Sequence, residues 1–381
     1  MERLYLDHNA TTPLRAEARA EYLRELDRLG GNPSSVHTSG RAARVVLDLA
    51  RERAAAALGV HEDELVFTSG GTESVHLALL GALKVAPAGG LVTTVVEHSA
   101  VLGAAELAGT MGRPVAHVGV DAAGRVDLAQ LVSRARDGAA LVSLQTANNE
   151  VGTVHPVGKL VAELETRGER PLVHTDAVQA LGRVPVELRA WRVDLASFSA
   201  HKLGGPLGVG LLYKRKGVRL APLLVGGGQE GGLRPGTENV PAIAAAACAL
   251  ELAVAERAQQ AVAWRASTSE LWRQLQSKVP DVQLNGPEID ASDRLPNTLN
   301  VTLPGSDGRT LVARLDLEGL EVSAGSACAS GSLEPSHVLL AMGRSPEAAR
   351  AGLRLSLGRT TRGEDVHKAV EILSRIRHAL R

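Results

Sequence analysis

Two side chains in this sequence are placed to make and break covalent bonds. Cys328 lies in Ser323-Ala324-Gly325-Ser326-Ala327-Cys328-Ala329-Ser330-Gly331. Small, polar, flexible neighbours give a thiol no apolar core, so the run reads as a loop carrying a mobile nucleophile. Cys248 is the contrast: within Ala244-Ala245-Ala246-Ala247-Cys248-Ala249-Leu250 it reads as a small inert hydrophobe of a helix. Lys202 closes Ser197-Phe198-Ser199-Ala200-His201-Lys202, just past an apolar strand. A lysine desolvated there loses its charge more readily than one on a surface helix and can form a Schiff base with an aldehyde. The plainer reading is a lysine snorkelling from the sheet edge.

Two further segments bear on the same chemistry. Thr68-Ser69-Gly70-Gly71-Thr72-Glu73-Ser74 follows a strand and opens a helix, so its backbone N–H groups and hydroxyls can hold a phosphate at the positive helix end. A glycine-permitted turn with a Ser/Thr cap is the alternative. The Lys-Ser/Thr ending of a nucleoside-triphosphate loop is missing, which disfavours ATP or GTP. Val173-His174-Thr175-Asp176-Ala177-Val178-Gln179 sets a carboxylate at the end of an apolar strand, with Gln179 three residues on. A solvated loop aspartate is the bland alternative. Together, a phosphate cup, an aspartate able to pair with a pyridinium nitrogen and a strand-end lysine are the parts pyridoxal 5'-phosphate requires.

Such parts need a scaffold. Leu65 to Thr68, Leu91 to Val96, Ala140 to Thr146, Leu172 to Asp176, Val193 to Phe198 and Val209 to Tyr213 read as strands, with helical patterns filling most gaps. This alternation predicts an α/β fold with a mostly parallel sheet flanked by helices, its sites outside the carboxyl ends of the strands. Thr237 to about Ser277 reads as one long helix or two in line, with Pro241 near its first turn and Pro280 past its end. Beyond come a strand at Thr298 to Leu303, a helix near Thr310 to Leu317, the Cys328 loop, a strand at Leu353 to Leu357, and a last helix opened by the box Thr361-Arg362-Gly363-Glu364. At roughly 100 to 200 residues per domain, 381 residues predict two lobes. The expected division is a large cofactor-binding domain over 15–254 and a smaller α+β domain built from 1–14 and 255–381, which carries the Cys328 loop.

Composition removes several classes of function. Basic and acidic residues balance at 42 each, and three Trp, three Tyr and two Phe leave few platforms for stacking bases, so nucleic-acid binding is not expected. The most apolar stretch, Val240 to Leu250, is mostly Ala and is broken by Glu251, short of the roughly 20 residues a bilayer span needs. Two cysteines make no disulfide framework, and Met1 to Asp7 lacks the regions of a signal peptide, so the expected compartment is the reducing cytoplasm.

The chain resembles the cysteine desulfurases, fold-type-I pyridoxal-phosphate enzymes that supply sulfur for iron-sulfur clusters and thiolated cofactors. The resemblance runs nearly end to end: Tyr5-Leu6-Asp7-His8-Asn9-Ala10-Thr11-Thr12-Pro13, Gly31-Asn32-Pro33-Ser34-Ser35-Val36-His37, Glu97-His98, Asn148-Asn149-Glu150-Val151-Gly152, Gly227-Gly228-Gln229-Glu230, Leu233-Arg234-Pro235-Gly236-Thr237 and Arg354-Leu355-Ser356-Leu357-Gly358-Arg359, besides the segments already named. It implies that Lys202 holds the cofactor as a Schiff base and that His98 stacks on its ring and moves protons. It implies further that Asp176 keeps the pyridine nitrogen protonated and that Gln179 and Asn149 lie near the ring's 3-oxygen. Gly71, Thr72, Ser199 and His201 would hold the phosphate, and Thr237 would reach the phosphate of a neighbouring subunit, which implies a homodimer. Arg354 would clamp the substrate carboxylate, with Asn149 beside it.

The implied reaction converts L-cysteine to L-alanine, with the sulfur attacked by the Cys328 thiolate and left on it as a persulfide for an acceptor protein such as an iron-sulfur scaffold. Cys328 is also a candidate transient ligand to a nascent cluster. Selenocysteine cleavage, another reaction on this fold, or a non-catalytic assembly scaffold are the alternatives; retention of both Lys202 and Cys328 argues against a pure scaffold.

Some features depart from the pattern. Leu207 stands after Gly205-Pro206 where the family usually has Lys, which removes any anion contact of that lysine, and His76 follows the cup without an assigned role. Gly204 to Gly210 loosely matches a dinucleotide loop but no acid ends a following strand, so it reads as a turn. His61-Glu62-Asp63-Glu64 has no spaced partner ligands and reads as a solvated charge cluster rather than a metal site.

Overall fold

The computed structural model describes residues 3–166, 168–279, 281–324 and 334–379; Cys328 lies outside them. The chain opens with a two-residue strand β1 (Leu4–Tyr5) and helices α1 (Ala16–Arg28) and α2 (Thr38–Leu58). Then come β2 (Leu65–Thr68), α3 (Gly71–Val85), β3 (Gly90–Thr94), α4 (Ser99–Thr110), β4 (Val115–Val118), α5 (Leu128–Arg136) and β5 (Ala139–Ser143). The alternation continues through α6 (Val157–Glu165), β6 (Leu172–Asp176), the single-turn α7 (Leu188–Trp191), β7 (Leu195–Ser199) and β8 (Gly210–Lys214).

These strands form one seven-stranded sheet of order β2-β8-β7-β6-β5-β3-β4. It is parallel except at β8, which runs antiparallel to both β2 and β7. Two reversals restore direction, so β2 points the same way as β7, and the carboxyl ends of β2, β3, β5, β6 and β7 share one edge. Alternate residues of each strand enter opposite apolar clusters: Phe67, Val92, Val142 and Ala196 pack with Leu131 and Leu160, whereas Val66, Leu91, Leu141 and Leu195 pack with Leu79 and Val101. Burial on both faces is what makes these strands read as continuous apolar runs.

Helix α8 (Val240–Lys278) follows as a single 39-residue element. Asn239 Oδ1 accepts from Ala242 N at 3.3 Å, so the helix starts there rather than at Thr237. Its first half, Val240 to Ala253, belongs to the large core, and Leu271 and Leu275 belong to another. That second core surrounds an antiparallel sheet of order β12-β13-β10-β9, made of β9 (Gln283–Asn285), β10 (Thr298–Thr302), β12 (Ser323–Ala324) and β13 (Gly352–Ser356). The short β11 (Leu320–Glu321) pairs with β1 in parallel, and α9 (Gly308–Leu317), α10 (His337–Ala341), α11 (Pro346–Arg350) and α12 (Gly363–Ala379) complete the chain.

Three expectations need correction. β4 was missed: it is the edge strand, with His117 exposed and only Val118 buried, so its apolar signal is thin. The box at Thr361 and Glu364 does not form. Instead Thr361 Oγ1 accepts from Gly358 N at 3.0 Å, and Asp365 reaches back to Arg362 N at 2.7 Å, one position later than the spacing suggested. Glu64 is not solvated but buried, accepting from the backbone of His61 and Lys216 at 2.9 Å each.

Candidate active site

β7 ends at Ser199 and the chain turns through a short 3-10 segment, Ala200–Lys202, which brings Lys202 over the sheet edge. Its Nζ donates to the carbonyls of Asn9 and Ala10, 2.6 Å from each. Beside it, Asp176 is the last residue of β6. Its carboxylate accepts from Val178 N at 3.0 Å; burial pushes its pKa up, and the nearby His98 and Lys202 charges oppose that rise. Gln179 donates from Nε2 to Asn9 O at 2.9 Å, while its Oε1 is buried with no partner among the described residues.

His98 caps α4 by accepting from Ala100 N at its Nδ1, 3.1 Å away. A neutral imidazole bonded this way carries its proton on Nε2. The preceding Glu97 is fully buried, and burial holds its carboxyl well above the usual range despite a 2.8 Å bond from Gln145 N. Burial thus disfavours the charged form of Glu97.

At the other end of the cavity, α3 begins at Gly71 with no side chain capping its first turn. Its orphan N–H groups face the anion end. A Cβ on Gly71 would stand 3.1 Å from Val178 Cγ2 and 3.5 Å from Ser199 Cβ, so only glycine leaves this cradle open. His201 lies opposite, its Nδ1 3.1 Å from Thr11 Oγ1. Burial, with the Lys202 and Arg183 charges, pulls its pKa down to about 4, which leaves the ring neutral. His76 sits one turn into α3 with its Nδ1 2.9 Å from the Thr72 carbonyl, a bond that needs the Nδ1 proton.

Arg354 comes from the second sheet, in the middle of β13. It is wholly buried, donating to Asn149 O at 3.1 Å and to Asp7 Oδ1 at 2.6 Å. A cavity of about 270 Å³ joins these groups: Gly71, Thr72, His98, Asn149, Asp176, Gln179, Ser199, His201, Lys202 and Arg354 all line it. Of the residues expected from sequence, Thr237 does not line it. Thr237 is exposed, 3.5 Å from Asn32 Nδ2. Asn9 and Gln145 line the cavity without having been singled out. Gln145 lies just past β5, where polar residues at strand ends are suspects; Asn9 has no comparable signal, since its carbonyl rather than its side chain reaches Lys202.

The donor set fits pyridoxal phosphate. An amine stands between an unpartnered amide oxygen, a buried carboxylate and an imidazole, and the cradle at Gly71 has the vacant helix N–H groups an ester phosphate needs.

The chain matches the aminotransferase class-V family over residues 4–369, the class that this sheet and its strand-end lysine pocket define. Cysteine desulfurase IscS of Dictyoglomus turgidum is 42% identical, with 99% of this chain and 95% of that protein covered. The protein of the same name from Clostridium botulinum is 40% identical over 98% of this chain and 94% of its own length. Among solved structures, a NifS-like protein superposes with a TM-score of 0.91 at 38% identity, covering 98% of this chain and 99% of that one. One described as SspA in complex with cysteine gives a TM-score of 0.76 at 31% identity, over 93% of this chain and 98% of that one. The chain belongs to the cysteine desulfurases of the class-V family. Pyridoxal-phosphate dependence is general in that family.

Proposed function

We propose that this enzyme takes sulfur from L-cysteine, releases L-alanine and passes the sulfur through Cys328 to an acceptor protein for iron-sulfur cluster or thio-cofactor assembly. The carrying observation is that Lys202, Asp176, His98, Gln179 and Arg354 meet in one cavity although they come from four separate segments and two sheets. Pyridoxal phosphate, held by Lys202 and the Gly71 cradle, supplies an electron sink that weakens the bond between substrate carbon and sulfur.

The chain's own groups do the rest. Arg354 binds the carboxylate of the amino acid, and Lys202 Nζ, once released, moves the proton at the substrate's α-carbon. His98 offers an Nε2 proton at the cavity wall, and Asp176 would supply the negative charge that keeps the pyridine nitrogen protonated. The thiolate of Cys328 attacks the substrate sulfur; the C–S bond breaks, the carbon takes a proton, and the sulfur stays on Cys328 as a persulfide. At an unperturbed thiol pKa of about 8.5 only a minor fraction is thiolate near pH 7, so the thiol needs a local base.

Several wider readings belong to the same proposal. The division at 254/255 falls within α8, whose two halves serve different cores. A homodimer would explain why Thr237 stands exposed and outside its own chain's cavity. Among the described residues no helix is long and apolar enough to cross a membrane, which agrees with a cytoplasmic enzyme. The test is sulfide and alanine release from L-cysteine under excess reductant. Equal yields from wild type, and loss of both from a Cys328→Ala protein that keeps its yellow colour, are expected. A variant turning over at the wild-type rate would exclude the persulfide route.

A further inference from the structure

The turn at residues 7–10 touches both ends of the substrate position. Its Asp7 carboxylate accepts from Arg354 Nη2 at 2.6 Å. Two and three residues on, the Asn9 and Ala10 carbonyls take the two bonds from Lys202 Nζ. The turn is itself rigidly tied. Ala10 N donates to the Asp7 carbonyl at 3.0 Å and Tyr5 Oη to the same oxygen at 3.1 Å. Asp7 also bridges Ser356 in parallel, two residues beyond Arg354 on the same strand.

Arg354 cannot orient itself. A guanidinium presents five N–H donors in one plane, and its direction is fixed only when two sides are held. Here Asn149 O holds Nη1 at 3.1 Å and Asp7 holds Nη2, while Nε has no partner among the described residues. The remaining donors are those left for a carboxylate. Because the same turn grips the Lys202 amine, the spacing between the group that meets the substrate carboxylate and the group that moves its α-proton is set by four consecutive residues.

We propose that Asp7 is a positioning residue for the substrate, holding the Arg354 plane in register with Lys202 so that an amino acid bound by its carboxylate presents its α-carbon to the lysine. The inference rests on reading Arg354 as the carboxylate group. Its signature is a carboxylate-specific loss of binding that a neutral acceptor of the same shape repairs.

The experiment uses the yellow holoenzyme and compares Asp7→Ala, Asp7→Asn and Arg354→Gln. The Asp7→Ala enzyme is expected to show a KM for L-cysteine raised about tenfold with kcat within about threefold of wild type, the loss of one charge-assisted bond. Inhibition by L-alanine should weaken by the same factor, whereas inhibition by ethylamine, which lacks the carboxylate, should not change. Asp7→Asn should recover most of the loss. An unchanged KM in Asp7→Ala, equal weakening of L-alanine and ethylamine, or no recovery in Asp7→Asn would each overturn the proposal. Retained L-alanine inhibition in Arg354→Gln would overturn the Arg354 reading itself, and Asp7's role with it; loss there but none in Asp7→Ala would overturn the Asp7 role alone.

Discussion

Single residues decide what this cavity can hold, and Gly71 shows it most directly. The position is read from sequence as part of a phosphate cup, yet what matters is lateral room: a Cβ would already press on Val178 and touch Ser199. A branched side chain there fills the cradle, and a packed wall yields little. Gly71→Val is therefore expected to weaken retention of pyridoxal phosphate at least tenfold, read from the absorbance lost on dialysis, with its thermal unfolding midpoint little changed. Asp176 at the end of β6 and Lys202 after β7 were legible because they are polar groups at the ends of apolar runs, whereas His98, Asn149 and Arg354 were reached only through the resemblance. The misreadings came where burial reverses the ordinary meaning of a residue type. Glu64, in an acidic cluster, is a buried cap receiver, and Asn9 acts through its carbonyl, for which no side-chain pattern exists.

At the scale of elements, strand order rests on contacts that periodicity does not reveal. Asp194 is wholly buried just before β7, accepting from Val173 N of β6 at 2.8 Å and pairing with Arg170 and Arg215, which flank β6 and β8. One carboxylate thus ties three adjacent strands at the end opposite Lys202. In sequence it is merely a polar interruption of the run Val193 to Phe198, because its partners lie on neighbouring strands. Removing it would leave the Val173 N–H buried and unpaired and take one carboxylate from Arg170, which keeps Glu165 and the carbonyls of Pro171 and Arg192. Asp194→Ala is expected to cost about 3 kcal/mol or more, measured as a shift in urea midpoint at constant slope. A change under about 1 kcal/mol would mean that Glu165 and the neighbouring carbonyls hold Arg170 without Asp194. The long helix α8 was legible apart from its start, since its Ala-rich content and flanking prolines are local signals, and the domain division expected at 254/255 already lay within it.

Across the whole molecule, two properties emerge that no single element has. The first is acid sensitivity. His174 is fully buried between Ser143 Oγ at 2.8 Å and Ser197 Oγ at 3.0 Å, and burial pulls its pKa down to about 3; His155, also buried, falls to about 4. Unfolding returns both toward 6.5, so below that pH the unfolded chain binds more protons than the folded one. Their contribution is thus fully present above pH 6.5 and is lost as pH falls, at about 1.4 kcal/mol per unit for each histidine. Unfolding free energy should drop steeply from pH 6.5 to 4.5, and His174→Gln should flatten that slope whatever its effect at pH 7. The second property is assembly. Val36 and Val225 are 87% and 93% exposed, and Thr237 stands outside the cavity its sequence context implies it serves. If Thr237 completes the phosphate cup of a second copy, a dimer of Lys202→Ala with Thr237→Ala contains one intact site: the wild-type lysine of one subunit and the wild-type threonine of the other. Each variant alone should bind or turn over poorly, and the mixed dimer should regain close to half the wild-type activity at low cofactor concentration. A mixed dimer no better than Thr237→Ala alone would place Thr237 in service of its own chain, and the exposed valines would then need another explanation.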